Sequence, residues 1–386
     1  MRQGSFQWMK SVNKSIILNK IRKDGPISRA QIARETKLTP PTVSSNVKEL
    51  IDQKIVEESD FGESLGGRKP TMLVINDQAF TIIGVDAGPE HIECIVADLA
   101  GKVLKRSQTT LDLPINSEQF LAALKRGIGE CLDETSGREE NIIGIGVAMH
   151  GVVDVERGVS LNAPILGLAN IPIKEELEQA FGLEVKVEND ARAMALGEYW
   201  FGNHGELESM LAVNVGRGVG AGLIIDGKLY HGFSDIAGEI GHMTIDLHGE
   251  ICECGNRGCL QTFVTGPAIA RKVTNRGAAN PLTAETVYKL AVGGNRQFAD
   301  ILKESGQAMG VGLTNLIHIV NPEKIVLGGG VSKAEQFILP AIRETIQASA
   351  LTPSASRTQV EVTKLGDDAT LIGAITLLLV DLFELK

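Results

Sequence analysis

Apolar positions along the first fifty residues fall at helical spacing. Ile16, Ile17, Leu18 and Ile21 form a stripe that Asp24-Gly25-Pro26 ends. Ser28 stands where a helix cap is wanted, ahead of Ala30, Ile32 and Ala33 as buried positions. Thr39 caps a third helix with prolines 40 and 41 in its tolerated first turn, and Val43, Val47 and Leu50 make one apolar face at i, i+4 and i+7. The stretch KIVEESDFGESLGGRKPTMLVIN then reads as two short strands around a glycine-rich tip. From Thr81 the pattern changes. TIIGVDAGPEHIECIVADLAGKVLKR predicts strand, glycine turn, strand, tight turn, strand, and MLAVNVGRGVGAGLIIDGKLYHG repeats the plan, with Asp226-Gly227 as its hairpin signal. Helices are expected over about 117–134, 172–181, 284–293, 297–320, 333–349 and 368–384.

Composition sharpens this picture in two places. No run of about 18 apolar residues is present and the N-terminus lacks the apolar core of a signal peptide, so no membrane partner is expected and a reducing cytoplasm is the expected compartment. The net charge of −10 is unevenly shared. Residues 1–76 carry 13 Lys and Arg against 8 Asp and Glu, whereas the remainder carries 25 against 40. A basic head on an acidic body suggests that the head meets a polyanion.

The third helix presents small polar side chains opposite its apolar face: Thr42, Ser45 and Asn46, with Ser44 and Lys48 at the edges. Such residues at the start of a recognition helix suit base edges in the major groove. Arg68 and Lys69, at the glycine-rich tip, suit phosphates or the minor groove. Residues 1–76 are therefore expected to form a winged helix-turn-helix DNA-binding domain, and 77–386 a separate body.

Three of the five cysteines fall within eight residues. His242, Cys252, Cys254 and Cys259 give the spacing H-x9-C-x-C-x4-C, and three thiolates with one imidazole suit a closed, tetrahedral structural Zn2+ site. Gly255 and Gly258 permit the tight folding back that such short spacings demand.

The segments GEIGHMTID and CECGNRGCLQTFVTGPAI closely resemble the signature of the ROK family of sugar kinases and sugar-responsive repressors. ISRA, TVSS and GGRKPTMLV extend the resemblance into the head and point to its repressor branch, the xylose repressors above all. The resemblance implies a duplicated actin-like (ribonuclease H-like) α/β body of two lobes, about 77–190 plus the C-terminal helix and about 191–370. It also implies a sugar-binding set of Asn189, Asp190, Glu239, His242 and Gln261, with the histidine shared between zinc and sugar. His150 stands beside that region in the family layout.

In family kinases an aspartate, here Asp190, is the general base. The family's first phosphate loop, D-x-G-G-T, is DAGPE here, which places Pro89 and Glu90 where glycine and threonine are expected. The second loop, G-T-G-x-G, has Arg217 in place of threonine. A glutamate against a triphosphate is a like-charge conflict, so ATP is not expected as a cofactor and no catalytic residue is expected. The sugar side departs too: Ile165 replaces an asparagine and Gln261 a glutamate. The expected function is a sugar-responsive repressor of carbohydrate genes, with xylose as one effector, acting as a homodimer or higher oligomer on palindromic operator DNA. Two readings stand beside it: an active ATP-dependent sugar kinase, and a sugar-independent repressor governed by a protein partner.

Overall fold

The computed structural model describes residues 12–61, 70–133, 141–275 and 282–383. The head comprises α1 (Val12–Asp24), β1 (Ile27–Ser28), α2 (Arg29–Thr36), α3 (Pro40–Asp52), β2 (Val56–Phe61) and β3 (Thr71–Ile75), with strand order β1-β3-β2. Both expected caps form: the Gln31 N–H donates to Ser28 Oγ at 3.2 Å and the Thr42 N–H to Thr39 Oγ1 at 3.4 Å. Ile17, Leu18, Ile21, Ile32, Ala33, Val43, Val47 and Leu50 are buried. Two positions expected in the core are not: Ala30 is exposed and Ile16 is 37% exposed. Each sits one step round its helix from a buried pair, on a helix short enough to cover only one stripe.

The body is built on two five-stranded sheets of identical plan. The first comprises β4 (Thr81–Ala87), β5 (His91–Asp98), β6 (Val103–Thr110), β7 (Ile142–Met149) and β11 (Glu184–Asn189), in the order β11-β7-β4-β5-β6. Between its last two strands a small antiparallel sheet is inserted: β8 (Val152–Asp154), β9 (Val159–Ala163) and β10 (Leu168–Ile171). The second comprises β12 (Ser209–Val215), β13 (Val219–Ile225), β14 (Lys228–Tyr230), β15 (Lys324–Gly328) and β16 (Gln359–Val362), ordered β14-β13-β12-β15-β16. In both, an antiparallel three-strand meander continues into two parallel strands. The duplication expected from the two glycine-turn segments is present strand for strand. Asp226 and Gly227 both have positive φ, the conformation a two-residue hairpin turn requires.

The helices are α4 (Ser117–Asp133), α5 (Ile173–Phe181), α6 (Asp190–Phe201), α7 (Gln261–Val264), α8 (Gly266–Asn275), α9 (Ala284–Val292), α10 (Arg296–Val320), α11 (Glu335–Ser349) and α12 (Ala369–Phe383). Alternation along the strands divides each sheet between two cores. Ile83, Val85 and Val96 face α4 with Phe120 and Leu124, while Ile82, Ile95 and Ala97 face α12 with Leu371 and Ile375. On the second sheet Leu211, Val213 and Leu327 face the α8–α11 layer, and Met210, Ala212 and Val326 face α6. Helices α6 and α12 thus form a middle layer between the sheets. No helix among the described residues is long and apolar enough to cross a membrane.

That middle layer depends on missing side chains. A Cβ on Gly373 of α12 would stand 1.9 Å from the Ala193 carbonyl oxygen of α6, and one on Gly197 of α6 would stand 2.8 Å from that of Ala369. Gly373→Ala is expected to lower unfolding free energy by roughly 1–3 kcal/mol through overpacking. Gly129→Ala in α4, where a Cβ meets nothing within 4 Å, is expected to gain about 0.5 kcal/mol. Denaturant titration of both variants reads the difference.

Candidate functional site

On the recognition helix α3, Ser44, Ser45 and Lys48 are exposed and Thr42 and Asn46 are half-buried. The Asn46 amide donates to the Thr42 carbonyl at 2.8 Å, so these two side chains are partly ordered by their own helix. Helix α1 braces this unit through a Lys14–Glu49 ion pair. Arg68 and Lys69 lie outside the described residues.

In the body, β11 delivers Asn189 to the start of α6. The Asn189 Oδ1 accepts from the Ala191 and Arg192 N–H groups at 3.0 and 3.1 Å, an N-cap, while its amide donates to the Gly151 carbonyl at 3.0 Å. Asn189 therefore fastens the helix start to the loop after β7, which also carries His150. Asp190 follows as the first helical residue and accepts from the Ala191 N–H at 2.8 Å. Burial pushes the Asp190 carboxyl up to about 6, against the pull of the Ala191 N–H and the Arg192 charge. Asp86, at the end of β4, is pushed up to about 7 by burial and by Asp190. Glu239 is raised by burial and tempered by His242. Three carboxylates thus gather in one half-buried recess. Hydroxyl groups that donate to such carboxylates replace the water that burial removes.

A buried ion-pair network, unforeseen from sequence, stands behind them. Arg192 Nε donates to Glu188 Oε1 at 2.7 Å, with both residues 1% exposed, and His231 Nε2 stands 2.7 Å from Glu188 Oε2. Arg192 Nη1 donates to the Asp235 carbonyl at 2.5 Å, and Asp235 Oδ2 accepts from the Val155 N–H at 3.3 Å. Burial pushes Glu188 up, and His231 and Arg192 more than offset it, leaving its carboxyl below the ordinary range. No sequence signal marks it: Glu188 ends β11 and Arg192 lies in α6, with the polar Asn189 and Asp190 between them, so the helical i,i+4 rule does not pick out the pair. The network holds residues 231–235, which lead into Gly238 and Glu239. Gly238, at φ +97°, lies so close to Ala221 that a Cβ would be 1.8 Å from its carbonyl oxygen. Glu239 is thus positioned from both sides. His150 is 7% exposed, with Nδ1 3.4 Å from the Ala87 carbonyl and no partner for Nε2. Ile165 is half-buried in the β9–β10 turn.

Glu90 and Arg217 form an ion pair with each other. They join the turn after β4 to the turn after β12, and so join the two sheets across the space between their loops.

The cysteine cluster follows the short helical turn Ile240–His242. Ligand atoms of His242, Cys252, Cys254 and Cys259 all lie within 4.8 Å of one another. Cys252 Sγ is 3.7 Å from His242 Nδ1, and Cys254 Sγ is 3.7 Å from Cys259 Sγ. Bonds of about 2.3 Å to sulfur and about 2.0 Å to nitrogen in a tetrahedron set donor separations near 3.3–3.8 Å, so the four atoms fit a metal ion. Gly258, at φ +68°, passes so close to the Asp246 carbonyl oxygen that a Cβ would lie 1.6 Å away. Burial and the neighbouring sulfurs push the Cys259 thiol up to about 12, a charge balance that a divalent cation reverses. Gln261, expected at the sugar, donates its amide to Cys252 Sγ at 3.2 Å. The amide thereby holds the Cys252 sulfur in place, as hydrogen-bond donors to metal ligands do.

A profile described as the ROK family matches residues 82–380, and one described as winged helix-turn-helix DNA-binding matches residues 14–57. The chain is 32% identical to a xylose repressor of Caldicellulosiruptor bescii over 99% of this chain and 98% of that protein. It is 33% identical to the DNA-binding transcriptional dual regulator NagC of Escherichia coli K12, over 97% and 94%. Among solved structures, a ROK family transcriptional regulator described as a homologue of the E. coli MLC protein superposes with TM-score 0.85 at 28% identity, covering 97% of this chain and 98% of that one.

Two outcomes follow from this geometry. The purified chain is expected to carry one divalent ion per chain, lost in Cys259→Ser, with chelation lowering the melting temperature of the wild type and not of the variant. Elemental analysis and calorimetry read both. Asp86, raised from 3.8 to about 7, keeps its proton in the folded state at pH values where the unfolded chain has released it. Its contribution to stability is thus present below about pH 4 and lost as pH rises through 7. Asp86→Asn is expected to gain on the wild type over that window by roughly 1–3 kcal/mol, measured by denaturant titration at each pH.

Proposed function

The chain belongs to the ROK family, and on that premise we propose that it is a sugar-responsive transcriptional repressor. The winged-helix head, residues 1–76, binds operator DNA with Thr42, Ser44, Ser45, Asn46 and Lys48 of α3 at the bases and Arg68 and Lys69 at the backbone. The body, residues 77–386, takes a sugar where Asp190 and Glu239 gather beside His242. Asn189 caps the helix that carries Asp190 and keeps a second amide hydrogen for the ligand.

The observation that carries the reading is the ion pair between Glu90 and Arg217. The two residues that replace the phosphate-contacting threonines of the kinases neutralise each other across the loops. A triphosphate entering there would have to break the pair and meet the like charge of Glu90. The carboxylates on the sugar side keep their hydrogen-bonding capacity without a phosphate donor beside them. The chain's role is therefore regulatory rather than catalytic.

The ion in the cysteine cluster is Zn2+, matched by three thiolates and one imidazole. His242 Nδ1 faces the sulfurs, leaving Nε2 for the ligand side. The zinc thereby fixes the ring that lies three residues after Glu239. Its chemistry is structural: no position is left open for substrate.

Release of DNA requires that sugar bind one conformation better than the other. A head on each of two protomers meets a palindromic operator, as two recognition helices one DNA turn apart require. Relatives of the chain carry names for different sugars, xylose repressor in one and N-acetylglucosamine repressor in another. Both belong in the first panel of effectors.

Fluorescence anisotropy on DNA from upstream of the chain's own gene tests the reading. One sugar should weaken binding without ATP. Glu239→Ala should bind the same DNA with wild-type affinity and need at least about tenfold more of that sugar for release, the cost of about two lost hydrogen bonds. Release of the variant at the wild-type sugar concentration would remove Glu239 from the site.

A further inference from the structure

The sugar cleft and the DNA-binding head meet opposite ends of one helix. Helix α6 starts at Asn189 and Asp190 and ends at Trp200 and Phe201, about 16 Å away at about 1.5 Å per residue. Its far end is a junction. The Arg22 guanidinium of α1 lies 3.9 Å from the centroid of the Trp200 ring and 5.7 Å from that of Phe383. Trp200 meets Phe383 edge-on at 5.8 Å. The Asn19 amide of α1 donates to the Phe383 carbonyl. Ile17, Leu18 and Ile21 share one apolar cluster with Leu379, Leu382 and Phe383 of α12, and Val43, Val47 and Leu50 of the recognition helix belong to the same cluster. The head is packed on the body through this junction, with aromatic and cationic groups at its centre.

We propose that α6 is the element that transmits the sugar signal, with Trp200, Arg22 and Phe383 as its output contact. Sugar bound at Asn189 and Asp190 engages the first turn of α6. The close contact of Ala193 with Gly373 and of Gly197 with Ala369 couples any displacement of α6 to α12. Both helices end against α1, and α1 is braced on α3 by the Lys14–Glu49 pair and by shared core. Packed interiors shift between discrete arrangements rather than deforming smoothly, so a small movement at the cleft reaches the recognition helix as a change of head orientation. Trp200 and Arg22 are positioning residues: neither belongs to the sugar-contacting or base-contacting set. The inference rests on the reading of the cleft as a sugar site.

The test uses full-length protein, the upstream DNA fragment and the same panel of sugars. Trp200→Phe keeps an aromatic ring, and Arg22→Gln keeps a polar amide, so each guards against loss of fold in the other. Both should bind DNA within about threefold of wild type and bind the sugar with unchanged affinity by calorimetry, yet lose at least about tenfold of the sugar-driven change in DNA affinity. Variants released as fully as the wild type would overturn the relay and leave the sugar switch standing. Wild-type DNA binding indifferent to every sugar would overturn the switch, and hydrogen exchange then reads the relay by itself. Asn189→Ala, which uncaps the cleft end of α6, should speed exchange in α1 in the wild-type background and leave it unchanged in Trp200→Phe. Exchange in α1 that ignores Asn189→Ala would overturn the relay directly.

Discussion

The close packing of α6 on α12 is the constraint on which the remainder of the architecture depends. Two sheets of the same plan each need their inner face covered, and the two helices cover one face apiece while covering each other. Glycine at 373 and 197, with Ala193 opposite, lets their backbones approach where any larger side chain would collide. Gly146 in β7 serves the same purpose against α12, where a Cβ would lie 1.8 Å from the Ala374 carbonyl oxygen. A middle layer this thin leaves no slack. The helix that carries Asp190 at one end therefore has its other end placed against the head by the same contacts.

Electrostatics in the cleft work against that compactness. Asp86, Asp190 and Glu239 are all held above their ordinary range, with burial the first cause in each case. Arg192 supplies a compensating positive charge, but Glu188 claims its Nε, and the Asp235 carbonyl claims Nη1. A half-buried recess of this kind suits polyhydroxylated ligands, whose hydroxyl groups can donate to its carboxylates. The Glu90–Arg217 pair has the opposite character: both residues are about half exposed, so each partner remains hydrated and the pair contributes little by itself.

Much of this was legible in the sequence, because it was written in local terms. The two caps at Ser28 and Thr39, the paired glycine-turn meanders and the cysteine spacing each depend on residues a few positions apart, and each is present in the structure. Helix α6 escaped because it is buried nearly all round: with Ala191 through Glu198 all inside, no polar face gives it a helical period. The role of Gln261 was read from family position, and local pattern gave no sign of the hydrogen bond its amide makes to Cys252 Sγ. The partnership of Glu90 and Arg217, and that of Arg22 with Trp200, join residues more than a hundred positions apart. Nothing in local pattern encodes such pairs.

The junction between head and body has a consequence for how such a protein can respond. A head tethered by a flexible linker would be released from DNA only by changing its local concentration or its partner's spacing. Here α1 shares its core with the end of α12, and the strand pair β4–β5 adds Ile82, Ile95 and Ala97 to that same cluster. The recognition helix therefore has a fixed bearing relative to the first sheet, and through α6 to the cleft. In the proposed dimer on a palindromic operator, two such heads would have to match the spacing of successive major grooves at both ends together, so a rotation too small to disturb either head's own contacts would be enough to spoil the match. Rigidity at the junction would serve the proposed switch, since a compliant joint would absorb the motion before it reached the DNA.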